Sequence, residues 1–318
     1  MSDQKNNKIA NERIFFENTI DPFLMLLFAS IVVYFQNSWV RGFFHDGYLY
    51  AALGKNAAEL GHWLVPFQSK TQYARFAEHP PFIFILEGLF FKLFGSGFTH
   101  ARIFAGLWGI GTLSVIIFYL KKTTTKSHAI ISGIIFLLMP YFIKKVRFPN
   151  LDIPLTFFIT VTLFSYYYAL VVNKKYWLIT GLFWGLSLLT KGFIGLIILP
   201  IIGIHLIVEK KVVFQLKCVY FWSGFIIGIL IFSIWPISLL INNQFDIFEL
   251  YLKKQFLGTI VNGRGKEETD FFVYIIHLFK YNSIWMMLLF AGIIKLIKYK
   301  DYKNGFIRLM IIWFSVVF

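Results

Sequence analysis

Residues 218–241 read CVYFWSGFIIGILIFSIWPISLLI, and no charged side chain occurs among them. The stretch is longer than the ~20 residues an α-helix needs to cross ~30 Å of hydrocarbon. Within lipid each backbone N–H and C=O must find its partner inside the protein, and a helix does this within one segment. The run has company: comparable apolar stretches lie at about 22–40, 102–120, 128–146, 153–172, 176–190, 193–209, 272–296 and 305–318. Composition agrees, with 58% hydrophobic residues, 15% charged and a mean hydropathy of +0.67. A soluble domain holds roughly 45–50% apolar and about 25% charged residues. The expected fold is all-α: a polytopic transmembrane helical bundle of about nine spans, in a single domain over 1–318. A transmembrane barrel would show alternating strands instead.

The net charge is +15, yet the basic residues are scattered between apolar runs. That pattern excludes a nucleic-acid partner and fits topology signals and lipid-headgroup contacts. Lys5, Lys8 and Arg13 precede the first run. Lys121, Lys122 and Lys126 follow the second, and Lys174 and Lys175 the fourth. Lys210, Lys211 and Lys217 follow the sixth, and Lys295, Lys298, Lys300 and Lys303 surround the end of the eighth. All of these fall on the cytoplasmic side if residues 82–94, FIFILEGLFFKLF, do not cross. That segment is short, carries Glu87 and Lys92, and is bounded by Pro80-Pro81 and Gly95-Ser96-Gly97, which suits a re-entrant or interfacial helix.

Three polar regions then share the outer face: a first outer loop at 41–101 with juxtamembrane helices, a turn at 147–153, and a second outer loop at 242–271. Ten of the sixteen acidic residues lie there. Lys144, Lys145 and Arg147 fall on the same side, against the positive-inside rule, and suit an anionic ligand. The lone Cys218 excludes an internal disulfide framework. The polar N-terminus is too long for a signal peptide, so the first apolar run is read as a retained span.

The stranded charges point to chemistry. Asp46 follows the first apolar run, Glu78 and His79 precede Pro80-Pro81, and Asp152 sits at the edge of another run. A carboxylate beside lipid costs several kcal/mol unless it is paired or solvated, which marks it as a site candidate. Each residue also has a plainer reading. Residues 47–60 have the composition of an amphipathic surface helix, with Lys55 and Glu59 paired at i,i+4, and Asp46 would then be its N-cap. Lys191 could be a snorkelling anchor, Arg264 and Lys266 a solvated turn, Arg75 an ordinary loop charge, and His62 and His205 packing residues.

The order of these pieces resembles a family. Asp46, then Gly61-His62-Trp63-Leu64-Val65-Pro66, Glu78-His79-Pro80-Pro81, Arg147-Phe148-Pro149-Asn150-Leu151-Asp152 and Thr190-Lys191-Gly192 look like the GT-C membrane glycosyltransferases. The matching branch holds lipid A aminoarabinose transferases and protein O-mannosyltransferases. The resemblance implies transfer of a sugar from a polyprenyl-phosphate donor to a lipid, glycan or protein acceptor. The reaction would invert the anomeric centre at the outer face of the cytoplasmic membrane. Asp46 matches the family's candidate general base and Asp152 a second acid near the cavity. Glu78 matches an acid able to contact a divalent metal, so a metal stays open, and no organic cofactor is expected. His79 stands where the branch has a phosphate-binding Lys, Gly47 where it often has Glu, and Leu49 near an expected Arg.

The leaving phosphate needs cations as the glycosidic bond breaks, and His79, Lys191, Arg264 and Arg147 are the candidates. The reading from another class is a transporter or flippase, which the one-sided acids and the lack of internal repeats disfavour. Family members are usually longer, and the chain stops inside the apolar run IIWFSVVF, which leaves both a fragment of a longer protein and a compact member open.

Overall fold

The computed structural model describes residues 21–257 and 271–317, and among these the secondary structure is helical with no β-strand. Helix α1 spans Pro22–Phe35, α2 His45–Leu60, α3 Phe82–Phe94 and α4 Phe98–Thr123. The chain continues through α5 (Lys126–Leu137), α6 (Pro140–Val146), α7 (Asp152–Val171) and α8 (Tyr176–Lys191). A 3-10 turn at Gly192–Ile197 leads to α9 (Ile198–Val208), α10 (Val212–Leu216), α11 (Val219–Ile241) and α12 (Asp246–Leu252). Further along the chain lie α13 (Phe271–Tyr299) and α14 (Gly305–Val317).

Local chemistry sets the boundaries. Asp21 caps α1 by accepting the Phe23 N–H at 3.1 Å, with Pro22 pre-set for the first turn. Gly61, at φ +78°, closes α2 in the left-handed conformation. The run read as 128–146 is broken: Pro140 cannot continue α5, and α6 leaves at 62° to it.

Five helices are long and apolar enough to cross a membrane, six if the bent α5–α6 pair is one span. The protein is therefore a multi-pass membrane protein, but this count is below the nine expected. Helices α1 and α14 have 14 and 13 residues, short of a full crossing. Residues Tyr176–Val208 count once by length and composition, although Gly192 leaves helical geometry inside them. Helix α3 has 13 residues and is not among the crossing candidates.

The tightest helix pair is α8 with α11. Gly181 and Gly185 on one face Gly224 and Gly228 on the other so closely that a Cβ on Gly181 would overlap the Gly224 carbonyl. Small residues four apart allow such backbone approach in lipid, where packing and close contact replace the hydrophobic effect. Trp177, Trp184 and Leu188 then bury against Tyr166, Ile198 and Ile201 in the largest core. A separate core of Leu49, Leu53, Phe84, Phe104 and Phe158 seats α2 and α3 on α4 and α7. This second core brings α2 and α3 onto the end of the bundle that carries the stranded charges.

Candidate active site

The site is built around the junction of α6 and α7. Asn150 organises it: its side-chain amide donates to the carbonyls of Lys145 and Phe148, both at 2.7 Å, and its carbonyl accepts the Ile153 N–H at 3.0 Å. The turn is braced from outside by Arg102, which donates to the Arg147 carbonyl and to the Gly42 carbonyl, each at 2.5 Å. Asp152 is thereby held at the first residue of α7 with its carboxylate between two lysines. Lys145 Nζ donates to one oxygen at 3.0 Å, and Lys191 Nζ donates to the other. Lys191 arrives from the last turn of α8. Gly192 reverses the chain there at φ +63°, and a Cβ at this position would overlap the Tyr251 hydroxyl. Tyr251, stacked on Phe193 at 5.5 Å, thus fills the space that glycine leaves.

Helix α2 supplies the opposite wall. Its N-cap is Phe44, which makes no side-chain cap bond, so Asp46 is not the N-cap expected from the sequence. It lies inside the first turn, where its charge still suits the helix dipole, and it is exposed. The Lys55–Glu59 pair forms at 3.8 Å. One turn after Asp46 comes Tyr50. Burial raises the pKa of its phenol, and the charges of Asp46, Asp152 and Glu78 raise it further. Tyr73 is raised in the same way, first by burial, then by the charge of Glu78 and a hydrogen bond to it, with Asp46 adding to the effect. Three acids from well-separated segments therefore converge on one small region.

His79 is buried, its ring 6.4 Å from Tyr50 and 6.2 Å from Phe76. Arg147 donates to the Val33 carbonyl at 2.7 Å, in the last turn of α1, so part of its guanidinium is taken up in holding that helix end. Arg264 lies outside the described residues. Among the described residues no group of three His, Cys, Asp or Glu side chains could hold a metal ion, so Glu78 lacks companions for one there.

Sequence reasoning missed three participants. Lys145 was only one of a basic group, Tyr50 was not singled out within its helix, and Arg75 passed for loop charge. Arg75 instead binds Asp246 of α12 through two hydrogen bonds, at 2.5 and 2.9 Å. That pair ties the segment between α2 and α3 to the start of α12. His62 stacks on Phe67 at 4.6 Å, and His205 hydrogen-bonds Tyr166 at 2.6 Å and Gly305 at 2.9 Å, as packing residues do.

A helical membrane bundle with a lysine–aspartate–lysine cluster and two further acids near it defines a class: multi-pass membrane proteins with a charged cluster among their helix ends. The chain belongs to the family described as dolichyl-phosphate-mannose-protein mannosyltransferase, whose model matches residues 78–236. It is 24% identical over 93% of its length to an uncharacterized protein of Aquifex aeolicus, covering 58% of that protein. It is 29% identical over 64% of its length to the undecaprenyl phosphate-alpha-4-amino-4-deoxy-L-arabinose arabinosyl transferase of Wigglesworthia glossinidia brevipalpis, covering 35% of it. Among solved structures, apo ArnT from Cupriavidus metallidurans has the same fold, with a TM-score of 0.73 at 18% identity. That match covers 91% of this chain and 52% of ArnT. ArnT bound to undecaprenyl phosphate matches at a TM-score of 0.62 over 76% of this chain and 48% of the other. The chain thus spans about half the length of the proteins it resembles.

Proposed function

We propose that this chain forms the membrane domain of a glycosyltransferase. It would take a sugar from a polyprenyl-phosphate donor and pass it to a hydroxyl of a lipid, glycan or protein. The observation that carries the reading is the cluster of Lys145, Lys191 and Asp152 beside Asp46 and Glu78. It supplies cations for a phosphate and a free carboxylate for a proton at the same bundle end. In the step, the acceptor oxygen attacks the anomeric carbon from the face opposite the phosphate, forming a C–O bond with inversion. The bond from that carbon to the phosphate oxygen breaks, and the polyprenyl phosphate leaves with the electron pair. Asp46, exposed in the first turn of α2, accepts the acceptor's proton. Lys145 and Lys191, joined by His79, Arg147 and Arg264, stabilise the charge growing on the phosphate.

The site would face the outer side of the cytoplasmic membrane, because that placement puts five of the basic clusters inside. A divalent ion at Glu78 would need ligands beyond the described His, Cys, Asp and Glu side chains, and no step is routed through one. The fold and family likenesses favour transfer over transport. The test is incubation of the full-length protein in lipid with radiolabelled polyprenyl-phosphate sugars and candidate acceptors, comparing wild type with Asp46→Asn. Transfer or donor hydrolysis that the substitution abolishes supports the reading. Absence of both with every donor, together with solute flux indifferent to Asp46→Asn, overturns it.

A further inference from the structure

Beside Tyr50 and Asn150 lies a small, narrow pocket that neither the family nor the proposed reaction accounts for. It is lined by Tyr50 of α2, by Phe84 and Glu87 of α3, by Trp108 of α4 and by Asn150 of the turn before α7. Helices α2, α3 and α4 meet here with the turn that leads into α7 and Asp152. Glu87 is 1% exposed, and its Oε1 has no hydrogen-bond partner. The indole Nε1 of Trp108 is likewise shut off from solvent and unpartnered.

An acceptor and a donor thus border one cavity, each unsatisfied, although a buried polar group left unpaired costs about 1–3 kcal/mol. The carboxyl is fixed in place by α2, because a Cβ on Gly54 would meet its Oε2 at 2.8 Å and its Cγ at 2.9 Å. The centre of a water-sized sphere has about 10 Å³ there, close to the ~10–15 Å³ that one water requires. Burial holds the Glu87 carboxyl well above the usual carboxylate range, so a neutral acid, able both to give and to accept a hydrogen bond, faces the space.

We propose that Glu87 and Trp108 hold a single buried water between them, and that this bridge fixes α2 and α3, with Asp46, Tyr50 and His79, against α4 and the start of α7. Trp108 Nε1–H donates to the water oxygen, and the water bonds in turn to Glu87 Oε1. Glu87 acts as a positioning residue, touching neither donor nor acceptor. The positioning half of the proposal rests on the site assigned above; the water bridge itself does not.

The decisive measurement is a map of the intact wild-type protein in a lipid nanodisc at a resolution that shows ordered water. A density peak within hydrogen-bond reach of both Glu87 Oε1 and Trp108 Nε1 is expected. An empty cavity, or a direct Glu87–Trp108 hydrogen bond that closes it, overturns the bridge. Positioning is read separately, from the affinity for undecaprenyl phosphate in the same nanodiscs. Glu87→Gln, which keeps donor and acceptor, should bind like wild type, while Glu87→Leu and Trp108→Phe should each weaken binding about tenfold. Equal binding by all four proteins overturns the positioning role. If wild type binds no undecaprenyl phosphate, the proposed function fails while the density peak still decides the water site.

Discussion

Replacing Asp152 by asparagine removes the anion that Lys145 and Lys191 share while leaving the shape of the site nearly unchanged. The cost can be bracketed from the geometry. At 3.0 Å and an effective dielectric near 20, one ion pair is worth roughly 5–6 kcal/mol of Coulomb energy before desolvation is charged against it. Fully buried pairs lose about 3–5 kcal/mol when one partner is deleted, and exposed pairs about 1 kcal/mol or less. This cluster lies between, with the lysine side chains 22% and 20% exposed and the aspartate 41%. Solvent screening at the aspartate discounts the gross figure heavily, so Asp152→Asn should destabilise by about 2 kcal/mol. Part of that loss is repulsion between the two ammonium groups left facing one another. The double variant Asp152→Asn/Lys191→Met should therefore recover some of it. Reversible unfolding by SDS titration in mixed micelles would measure both. A single variant within about 0.5 kcal/mol of wild type, the range of an ordinary surface change, would refute the argument, as would a double variant worse than either single one.

Three further outcomes follow from the packing and the charges. Gly181→Ala should destabilise by about 1–3 kcal/mol or more in the same assay, because the new methyl meets backbone rather than a movable side chain. Gly203→Ala, with nothing within 4 Å, serves as a control that should be neutral or stabilising. Gly192→Ala should also destabilise and weaken binding of a phosphate lipid, since it meets both a positive φ and the Tyr251 hydroxyl; Gly192→Ala/Tyr251→Phe should restore part of the loss. Finally, Glu87 is raised by burial, so the folded state keeps its proton above ~4.3, where the unfolded chain releases it. Wild type should lose stability relative to Glu87→Gln as pH rises from there towards the folded pKa and then level off; parallel pH profiles of the two proteins would contradict the assignment.

The membrane bundle could be read from apolar runs because lipid leaves the backbone few alternatives, and the helices fall on or near each expected stretch. Span number was harder, since the break at Pro140 and the turn at Gly192 decide how helices divide and hydropathy does not register them. Asp46, Glu78, Asp152 and Lys191 stood out as charges at the ends of apolar runs. Lys145 did not, because only the three-dimensional turn at Asn150 distinguishes it from its exposed neighbour Lys144. Arg75 was equally hidden: its partner Asp246 is 171 positions away. The capping role expected for Asp46 failed by two residues, as helix starts chosen from composition often do.

Surface turns are normally where a protein absorbs inserted or deleted residues at little cost. The stretch from Pro140 to Asp152 should be an exception. Helix α6 has only seven residues, and adding or removing one would rotate its end by about 100°. That would carry Lys145 out of the site and bring a neighbour's side chain to the inner side. The carbonyls taken up by Asn150 and Arg102 would fall out of step at the same time. Substitutions along this stretch can be tried one by one, but its length is fixed, and a library of insertions across the chain should show a gap here even though part of it lies at the surface.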